Sequence, residues 1–176
     1  MGKRISQSNI IAKENIVSAL LELIYEKPIS TIAISELANR AGVSRMTFYR
    51  NYSSIEEIFG KELDEIFQKY EMDEKNILDG IYYDVDHMKH CFTYFYSYRQ
   101  FLDGLVYCGL GDMFLKKLTG YTYTKWHERV GSADVYKLVG FAGFVYNVYI
   151  LWEKEQYKDT VEEMAEYISS VFTRTN

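Results

Sequence analysis

Apolar residues recur at intervals of three and four through most of the chain, which is the pattern of amphipathic helices. The first of these stripes begins near Ser8 and comprises Ala12, Ile16, Leu20, Leu23 and Ile24. It should end just before Pro28, because a residue that precedes a proline is disfavoured in the helical conformation. The pattern therefore predicts one long helix at the start of the chain.

Two short helices joined by a tight turn follow. The second stripe comprises Ile34, Leu37, Ala38 and Ala41. Gly42 stands where a left-handed residue commonly ends a helix, and Ser44 can accept a hydrogen bond from the first N–H groups of a third helix. Two helices separated by a turn of about three residues that includes a glycine form a helix-turn-helix.

The remaining stripes are helical as well. A fourth helix is predicted by Ile55, Ile58, Phe59, Leu63, Ile66 and Phe67. Its start carries Ser53 with Glu56, or Ser54 with Glu57, at the spacing of a capping box. Further helices are predicted near residues 84–98, 100–119, 133–153 and 160–173. No stretch of useful length alternates as a strand would, so the sequence predicts an all-α protein.

Charge is distributed unevenly along the chain. Residues 1–55 contain seven Lys and Arg against four Glu, a net charge of +3. Since the whole chain carries −5, the rest of it carries −8. A basic N-terminal module on an acidic body indicates that the module faces a polyanion.

The stretch AGVSRMTFYRNYSS, residues 41–54, concentrates side chains suited to nucleic acid. On a helix that begins at Arg45, Phe48 and Tyr52 share one face, and Phe48 can pack against Leu37 and Ala38. The opposite side presents Arg45, Met46, Thr47, Tyr49 and Arg50. Arginine can bind guanine through two hydrogen bonds, threonine can meet a thymine methyl group, and a tyrosine hydroxyl can donate to a phosphate. In a helix-turn-helix, this second helix enters the major groove.

Residues 34–59, ISELANRAGVSRMTFYRNYSSIEEIF, resemble the N-terminal DNA-binding domain of the TetR family of bacterial transcriptional regulators. The Gly-Val-Ser-x-x-Thr-Phe-Tyr core carries the resemblance, which extends from about Ile11 to Phe67. It implies a three-helix DNA-binding head over residues 1–53 and a helical-bundle domain for ligand binding and dimerisation over residues 54–176.

The same resemblance implies a function. We expect a homodimeric, cytoplasmic transcriptional regulator, a repressor whose binding to a palindromic double-stranded DNA operator is modulated by a small-molecule effector. The expected DNA contacts are Ser44, Arg45, Thr47, Tyr49 and Arg50. The sequence identifies neither the effector, the operator nor the target genes, and it leaves activation open beside repression.

Two departures from the family pattern keep an alternative open. Many members have Thr, a helix cap, at the position of Ala33, and Lys, a phosphate contact, at the position of Ile55. Loss of one phosphate contact weakens DNA binding for every sequence alike, and Ser53 and Ser54 could partly compensate. The alternative is a helical protein-interaction module, or co-regulator, that has lost operator binding and acts through a partner protein.

The second part of the chain is rich in tyrosine. Thirteen of the seventeen tyrosines lie between Tyr82 and Tyr167. A bundle lined by such residues can enclose an apolar or aromatic ligand that phenolic hydroxyls orient, although aromatics at helical spacing more often fill a core. The candidate lining residues are Tyr94, Tyr98, Phe101, Tyr107, Phe114 and Tyr123.

The last two predicted helices are candidates for the dimer interface. Glycines inside a helix cost about 1 kcal/mol each relative to alanine, so they usually serve close helix approach. The candidate interface residues are Gly140, Phe144, Asn147, Leu151, Met164, Ile168 and Phe172. Together they predict a four-helix contact between two subunits.

Other classes of protein fit less well. The sequence contains no Gly-rich phosphate loop, nucleophile elbow or HExxH motif, so we expect neither an enzyme nor a bound cofactor. Asp84, His87 and Cys91 share a helical face, but their spacing matches no strong metal motif, and we expect no metal. The apolar run from Leu138 to Trp152 is shorter than the roughly 20 residues of a membrane span, so we expect a buried helix and no membrane.

Overall fold

The computed structural model describes residues 7–74, 80–130 and 134–173. These residues form nine α-helices and no strand, which confirms the predicted all-α class. The helices are α1 (Gln7–Glu26), α2 (Ile34–Arg40), α3 (Arg45–Asn51), α4 (Ile55–Glu74), α5 (Val85–Ser97), α6 (Arg99–Tyr107), α7 (Gly111–Trp126), α8 (Val135–Lys154) and α9 (Val161–Thr173). A short 3₁₀ turn, Ile29–Thr31, follows Pro28.

The turn between α2 and α3 has the predicted glycine cap. Gly42 adopts a φ of 65°, which residues with a side chain rarely adopt. Its N–H donates to the Asn39 carbonyl at 3.1 Å, and the Val43 N–H donates to the Ala38 carbonyl at 2.9 Å. This pair of hydrogen bonds is a Schellman motif, and it turns the chain sharply into α3.

The three N-terminal helices enclose one apolar core. Ile16 and Leu20 of α1, Leu37 of α2 and Phe48 of α3 are all essentially inaccessible to solvent. Contacts join each of these helices to the other two. The predicted head is therefore a packed unit, and its α2–turn–α3 segment is a helix-turn-helix.

The body is a bundle whose core is largely aromatic. Helix α5 packs along α9, α7 packs along α8, and α4 runs beside α7. Helix α4 carries the head into this bundle, because its Phe59 meets Phe101 of α6 at 5.6 Å between ring centroids and its Phe67 meets Phe95 of α5 at 5.2 Å.

The predicted helix over residues 100–119 is wrong in one respect, because the structure divides it into α6 and α7. Gly109 has a φ of 76°. The Gly109 N–H donates to the Val106 carbonyl at 2.9 Å and the Leu110 N–H to the Leu105 carbonyl at 3.0 Å. A second Schellman motif therefore ends α6, and α7 begins at Gly111 in a new direction.

Helix α8 is longer than the apolar run suggested. It spans 20 residues, and by length and composition alone it would suffice to cross a membrane. A single helix of this kind is weak evidence for a membrane, since the core helix of a soluble bundle has the same length and composition. Leu138, Phe141, Ala142, Val145 and Tyr149 are buried inside the bundle, as expected from the sequence.

A second contact between head and body runs through α1 and α6. Gly104 of α6 faces α1 so closely that a Cβ atom there would lie 2.7 Å from Leu21 Cδ2 and 2.9 Å from Ile24 Cδ1. The head is thus attached to the body by the continuous chain through α4 and by this close approach of α6.

We predict that Gly104→Ala destabilises the protein relative to Gly120→Ala. Both changes replace a helical glycine by alanine, and this replacement by itself stabilises a helix by about 1 kcal/mol. A Cβ at Gly120 meets nothing within 4 Å, whereas one at Gly104 overpacks the α1–α6 contact, at a cost of about 1–3 kcal/mol. Urea unfolding of the two variants measures the difference, and equal stability would show that α1 shifts aside without cost.

Candidate nucleic-acid interface

The first turn of α3 is held by a side-chain cap. The Thr47 N–H donates to Ser44 Oγ at 3.0 Å, and the two hydroxyls lie 3.0 Å apart. Ser44 has extended backbone angles, φ −74° and ψ 153°, as a helix cap requires. The candidate contacts Ser44 and Thr47 are thus bonded to each other at the N-terminal end of α3, which is the end that reaches base edges in a helix-turn-helix.

The two sides of α3 differ as predicted. Phe48 and Tyr52 are buried, while Arg45, Tyr49 and Arg50 are exposed. Tyr49 is 55% exposed, and its ring makes an edge-on contact with the Phe48 ring, 5.6 Å between centroids. Met46 is 78% exposed. This face therefore offers two guanidinium groups, a phenol and a thioether to solvent.

An amide pair fixes the C-terminal end of α3 to α1. The Asn51 and Asn9 side chains exchange two hydrogen bonds of 3.0 and 3.1 Å, and Asn51 Nδ2 also donates to the Thr47 carbonyl at 2.9 Å. Sequence reasoning missed this pair, because nothing in the local pattern links residues 42 positions apart. The exposed face of α3 is consequently held at both ends.

Tyr52 acts as a core residue. Its side chain is 1% exposed and its hydroxyl has no hydrogen-bond partner among the described residues. Burial raises the pKa of this phenol, and Lys61 lies over its ring at 5.6 Å from the centroid. The Lys61 ammonium also donates to the Asn51 carbonyl at 2.7 Å, which ties α4 to the end of α3.

Of the two capping boxes predicted for the start of α4, the structure contains the one formed by Ser54 and Glu57. The Glu57 N–H donates to Ser54 Oγ at 3.2 Å. The Glu57 carboxylate accepts hydrogen bonds from the Ser53 backbone N–H and from Ser53 Oγ, the latter at 2.8 Å. These bonds, with Lys61 at 3.0 Å, lower the pKa of Glu57 to about 2. The Ser53 hydroxyl thus donates to Glu57, whereas the Ser54 hydroxyl accepts from the Glu57 N–H and keeps its own proton for a further acceptor.

The two departures from the family pattern have local structural consequences. Ala33 is the N-terminal cap residue of α2 and its side chain makes no cap hydrogen bond. Ile55 is buried against the head core with 7% exposure, so it packs where a lysine would reach outward. Arg40 is paired within the head, because its guanidinium donates to Glu26 of α1 at 2.8 and 3.1 Å.

The six candidate pocket residues lie in several different contacts of the bundle. Tyr94 donates to the Ile66 carbonyl at 2.8 Å, and Tyr98 packs on Tyr94. Phe101 is buried beside Phe59. Tyr107 packs against Tyr25 on the surface, and Tyr123 stacks on His127 at 4.7 Å. Phe114 lines a void of about 10 Å³ in the aromatic core. These rings fill space between helices instead of lining a common site.

A larger cleft lies elsewhere, between α4 and α7, with a volume of about 1060 Å³. Its α4 wall comprises Gly60, Leu63, Asp64, Phe67, Gln68 and Glu71, and its α7 side comprises Met113, Lys116, Lys117, Gly120, Tyr121, Thr124, Lys125 and Arg129. Sequence reasoning missed this cleft. The lining residues of each helix recur at helical spacing, and this spacing is the signal that the sequence offers. The sequence does not show locally which two helices lie side by side.

The dimer candidates occupy one surface, with one exception. Gly140, Asn147 and Leu151 are exposed on α8, and Phe144 and Phe172 are half-buried and 5.3 Å apart. Met164 is also half-buried. Ile168, however, is completely buried within the subunit, where α9 packs on α5, so it is corrected to a core position.

Asp84, His87 and Cys91 make contacts within the body of the protein. Asp84 accepts a hydrogen bond from the Ile81 N–H at 2.9 Å. His87 is buried with its ring edge-on to Trp126 at 5.4 Å, and Cys91 is buried in the core. No group of three or more metal-binding side chains occurs in the described part of the chain.

Known proteins resemble this chain in its first helices and in its whole fold. Residues 16–61 match the family model of the bacterial regulatory proteins of the tetR family. The crystal structure of Lin0861 from Listeria innocua aligns with a TM-score of 0.80 over 100% of this chain and 97% of that chain, at 14% identity. That of the fatty acid degradation regulator FadR from Bacillus halodurans aligns with a TM-score of 0.58 over 90% and 93%, at 12% identity. No curated protein sequence matches the chain. At these identities the two structures show a shared fold alone, while the family match confirms the resemblance inferred from residues 34–59.

The Glu57 cap makes a prediction for pH. The folded-state pKa of Glu57 is depressed, so its contribution to stability is present above its ordinary pKa of 4.5 and is lost as pH falls towards about 2. We expect Glu57→Gln to be less stable than the wild type at pH 7. The difference in their free energies of unfolding should disappear as pH falls from about 4.5 to about 2. Urea unfolding at several pH values measures it. Glu56→Gln, in the same turn but without the Ser53 bonds, is the control. A gap that does not change with pH would contradict this role of the Glu57 charge.

Proposed function

Because this chain belongs, through residues 16–61, to the TetR family of bacterial regulatory proteins, we propose that it is a homodimeric transcription regulator. It binds a palindromic double-stranded DNA operator in the cytoplasm and acts as a repressor that a small-molecule effector releases. Residues 1–53 are the proposed DNA-binding domain and residues 54–176 the proposed regulatory and dimerisation domain.

One observation carries the proposal, which is the exposed face of α3 on a rigid head. Arg45, Tyr49 and Arg50 project to solvent from a helix that Phe48 anchors in the core. Hydrogen bonds hold both ends of this helix. A group that must meet base edges or phosphates in a fixed register needs such preorganisation, because ordering it on binding would cost affinity.

The dimer is supported by the outer surface of α8. Tyr136 is 88% exposed and Leu151 is 58% exposed, and both lie on the side of α8 that the bundle leaves uncovered. Between them, a Cβ atom added at Gly140 or Gly143 would meet nothing within 4 Å in the described part of the subunit. A second copy related by a two-fold axis would bury this face against itself and would place two heads on two half-sites.

Effector control needs a ligand that prefers the conformation with low operator affinity. A hundredfold preference corresponds to about 2.7 kcal/mol of coupling. Because α4 enters the body directly below the helix-turn-helix and binds α3 through Lys61, a change in the body that tilts α4 changes the separation of the two heads.

The alternative of a protein-interaction module without operator binding rests on Ala33 and Ile55. Neither position supplies the cap or the cation that many family members have there. A DNA-binding regulator loses affinity steeply as salt increases, whereas a module of that kind has no operator affinity to lose.

We predict that Arg45→Gln reduces the preference of the dimer for duplex from its own upstream region over a scrambled duplex. The loss should be about 1–3 kcal/mol if Arg45 reads a base. Arg50→Gln should weaken binding to both duplexes and lower the salt slope by about one if Arg50 meets a phosphate. Fluorescence anisotropy across salt concentrations measures both effects.

Arg40→Gln is the matched control for this experiment. Its guanidinium lies in the same motif but is bound to Glu26 and Glu22, so its loss should leave DNA affinity nearly unchanged. The regulator proposal is overturned if the wild-type protein binds no upstream duplex even at low salt. The assignment of α3 as the reading helix is overturned if Arg40→Gln and Arg45→Gln have the same effect.

We predict that Gly143→Arg converts the dimer into a folded monomer. Added atoms at Gly143 meet nothing inside the subunit, so the variant should fold, but its charge would be buried at a two-fold contact. Light scattering gives the mass and circular dichroism the helix content. Thr93→Arg, at an exposed position of α5, introduces the same side chain elsewhere and should remain dimeric. A Gly143→Arg dimer would exclude α8 from the interface.

A further inference from the structure

We propose that Met46 is a specificity-determining residue, which reads the C5-methyl group of a thymine in the operator by apolar contact. Met46 can do so only if α3 lies in the major groove, so this assignment rests on the proposed function. Met46 is not among the DNA contacts expected from the sequence. Neither the family match nor the low-identity structural neighbours assign a base to it.

Met46 lies on the side of α3 that points away from the head. Successive residues of an α-helix are about 100° apart, so Met46 lies about 160° around the helix axis from Phe48. The Phe48 ring is wholly buried in the head core. Arg50 lies one turn further along in nearly the same direction as Met46, whereas Arg45 and Tyr49 lie nearer the core side, about 60° and 100° from Phe48. Met46 and Arg50 therefore form the crest of α3, the line along the helix that enters a groove most deeply.

The Met46 thioether is accessible to a partner at this position. Met46 is 78% exposed. The Thr47 side chain, by contrast, is half-buried, and its hydroxyl lies 3.0 Å from Ser44 Oγ. The Ser44 cap and the amide pair of Asn51 with Asn9 hold the α3 backbone at both ends. The helix thus presents Met46 in a fixed direction, while the unbranched side chain can adapt its shape to the surface that it meets.

Helix α3 is short, so each residue on its crest faces a definite part of the operator. Its 7 residues span about 10 Å at 1.5 Å of rise per residue. This length corresponds to about three base pairs, at about 3.4 Å for each pair. Met46 lies in the first turn, and the N-terminal residues of the second helix are those that reach base edges in a helix-turn-helix. A crest residue in this turn therefore lies against a base pair.

The chemistry of methionine selects one group in the major groove. The base edges there carry hydrogen-bond donors and acceptors, and the C5-methyl group of thymine is the apolar exception. A thioether donates no hydrogen bond and accepts one only weakly. Against guanine, adenine or cytosine it would displace water from polar groups without replacing the lost hydrogen bonds, which is unfavourable. Against a thymine methyl group it buries apolar surface on both partners. Met46 therefore favours thymine, and for the same reason it favours 5-methylcytosine over cytosine.

The contact of Met46 differs from those of the neighbouring arginines in its dependence on salt. Arg45 and Arg50 are charged, and a cation that meets a phosphate releases counterions from the DNA, so its contribution falls as salt increases. An apolar contact with a methyl group releases no counterion. The part of the operator preference that Met46 supplies should therefore remain constant across salt concentrations.

Deoxyuridine isolates the methyl group, because its base differs from thymine in that group alone. An operator is selected from a random duplex pool with the wild-type protein at low salt, and each of its thymines is then replaced singly by deoxyuridine. At one position of a half-site the wild type should bind about fourfold more weakly, the change expected for one buried methyl group. Fluorescence anisotropy measures this ratio, which should not change with salt. A half-site without thymine, or no loss at any position, would overturn the proposal.

Three variants identify the residue that reads the methyl group. Met46→Ala should bind the thymine duplex and the deoxyuridine duplex equally, whereas Met46→Leu, which keeps a large apolar side chain, should retain part of the ratio. Met72→Ala removes an exposed methionine of α4 and should retain the full ratio. Because both methionines are exposed, all three variants should fold, which circular dichroism checks. An undiminished deoxyuridine effect in Met46→Ala would show that another residue reads the methyl group.

A second set of duplexes carries cytosine or 5-methylcytosine at the same position. The wild type should bind the methylated duplex about fourfold more tightly, and Met46→Ala should bind the two alike. Equal binding by the wild type would overturn recognition through the methyl group. If the wild type selects no duplex even at low salt, the regulator proposal fails and the role of Met46 fails with it. If it selects an operator but shows no methyl dependence that requires Met46, only the role of Met46 fails.

Discussion

The candidate DNA-binding surface depends on the burial of Phe48. This ring is wholly inaccessible to solvent between α1 and α2, and burying a side chain of this size is worth about 1.5–3 kcal/mol. Because successive residues of an α-helix are about 100° apart, fixing Phe48 inward directs Tyr49 and Arg50 outward. The cap at Ser44 and the amide pair of Asn51 with Asn9 then prevent α3 from rolling about its axis. The basic and phenolic face is therefore a consequence of core packing.

The sequence predicted the head well because its determinants are local. Apolar spacing, a left-handed glycine and a capping serine all fall within residues 34–52, and each fixes the conformation of its own neighbourhood. Gly109 ends α6 in the same way, but the local sequence does not indicate this. Apolar residues continue at helical spacing on both sides of it, from Leu105 to Phe114, so periodicity alone predicts one helix there. Only the hydrogen bonds that Gly109 and Leu110 return to α6 reveal the break.

The sequence predicts that the body is all-α, but it does not predict which residues of the body form a pocket or an interface. The reason is physical. Periodicity identifies which face of a helix is apolar, but it does not identify the helix that covers that face. Tyr94 looked like a pocket residue, yet its hydroxyl is used by the Ile66 carbonyl of α4. Ile168 looked like an interface residue, yet α5 covers it. Conversely, the residues of the α4–α7 cleft are unremarkable along the chain and form a cleft only when two helices lie in parallel.

Regulation in this molecule is constrained by the contacts that join the head to the body. Helix α4 is one, through its continuous backbone and the Lys61 bond to α3. The close approach of Gly104 to Leu21 and Ile24 is another. Lys13 of α1 also pairs with Glu65 of α4, and Tyr25 of α1 packs on Tyr107 of α6. Because α1 contacts both α4 and α6, a tilt of α4 is coupled to the position of α1 on α6. A glycine at that contact lets Leu21 and Ile24 of α1 approach the α6 backbone closely. The geometry thus favours small, coupled shifts of the head over its detachment from the body.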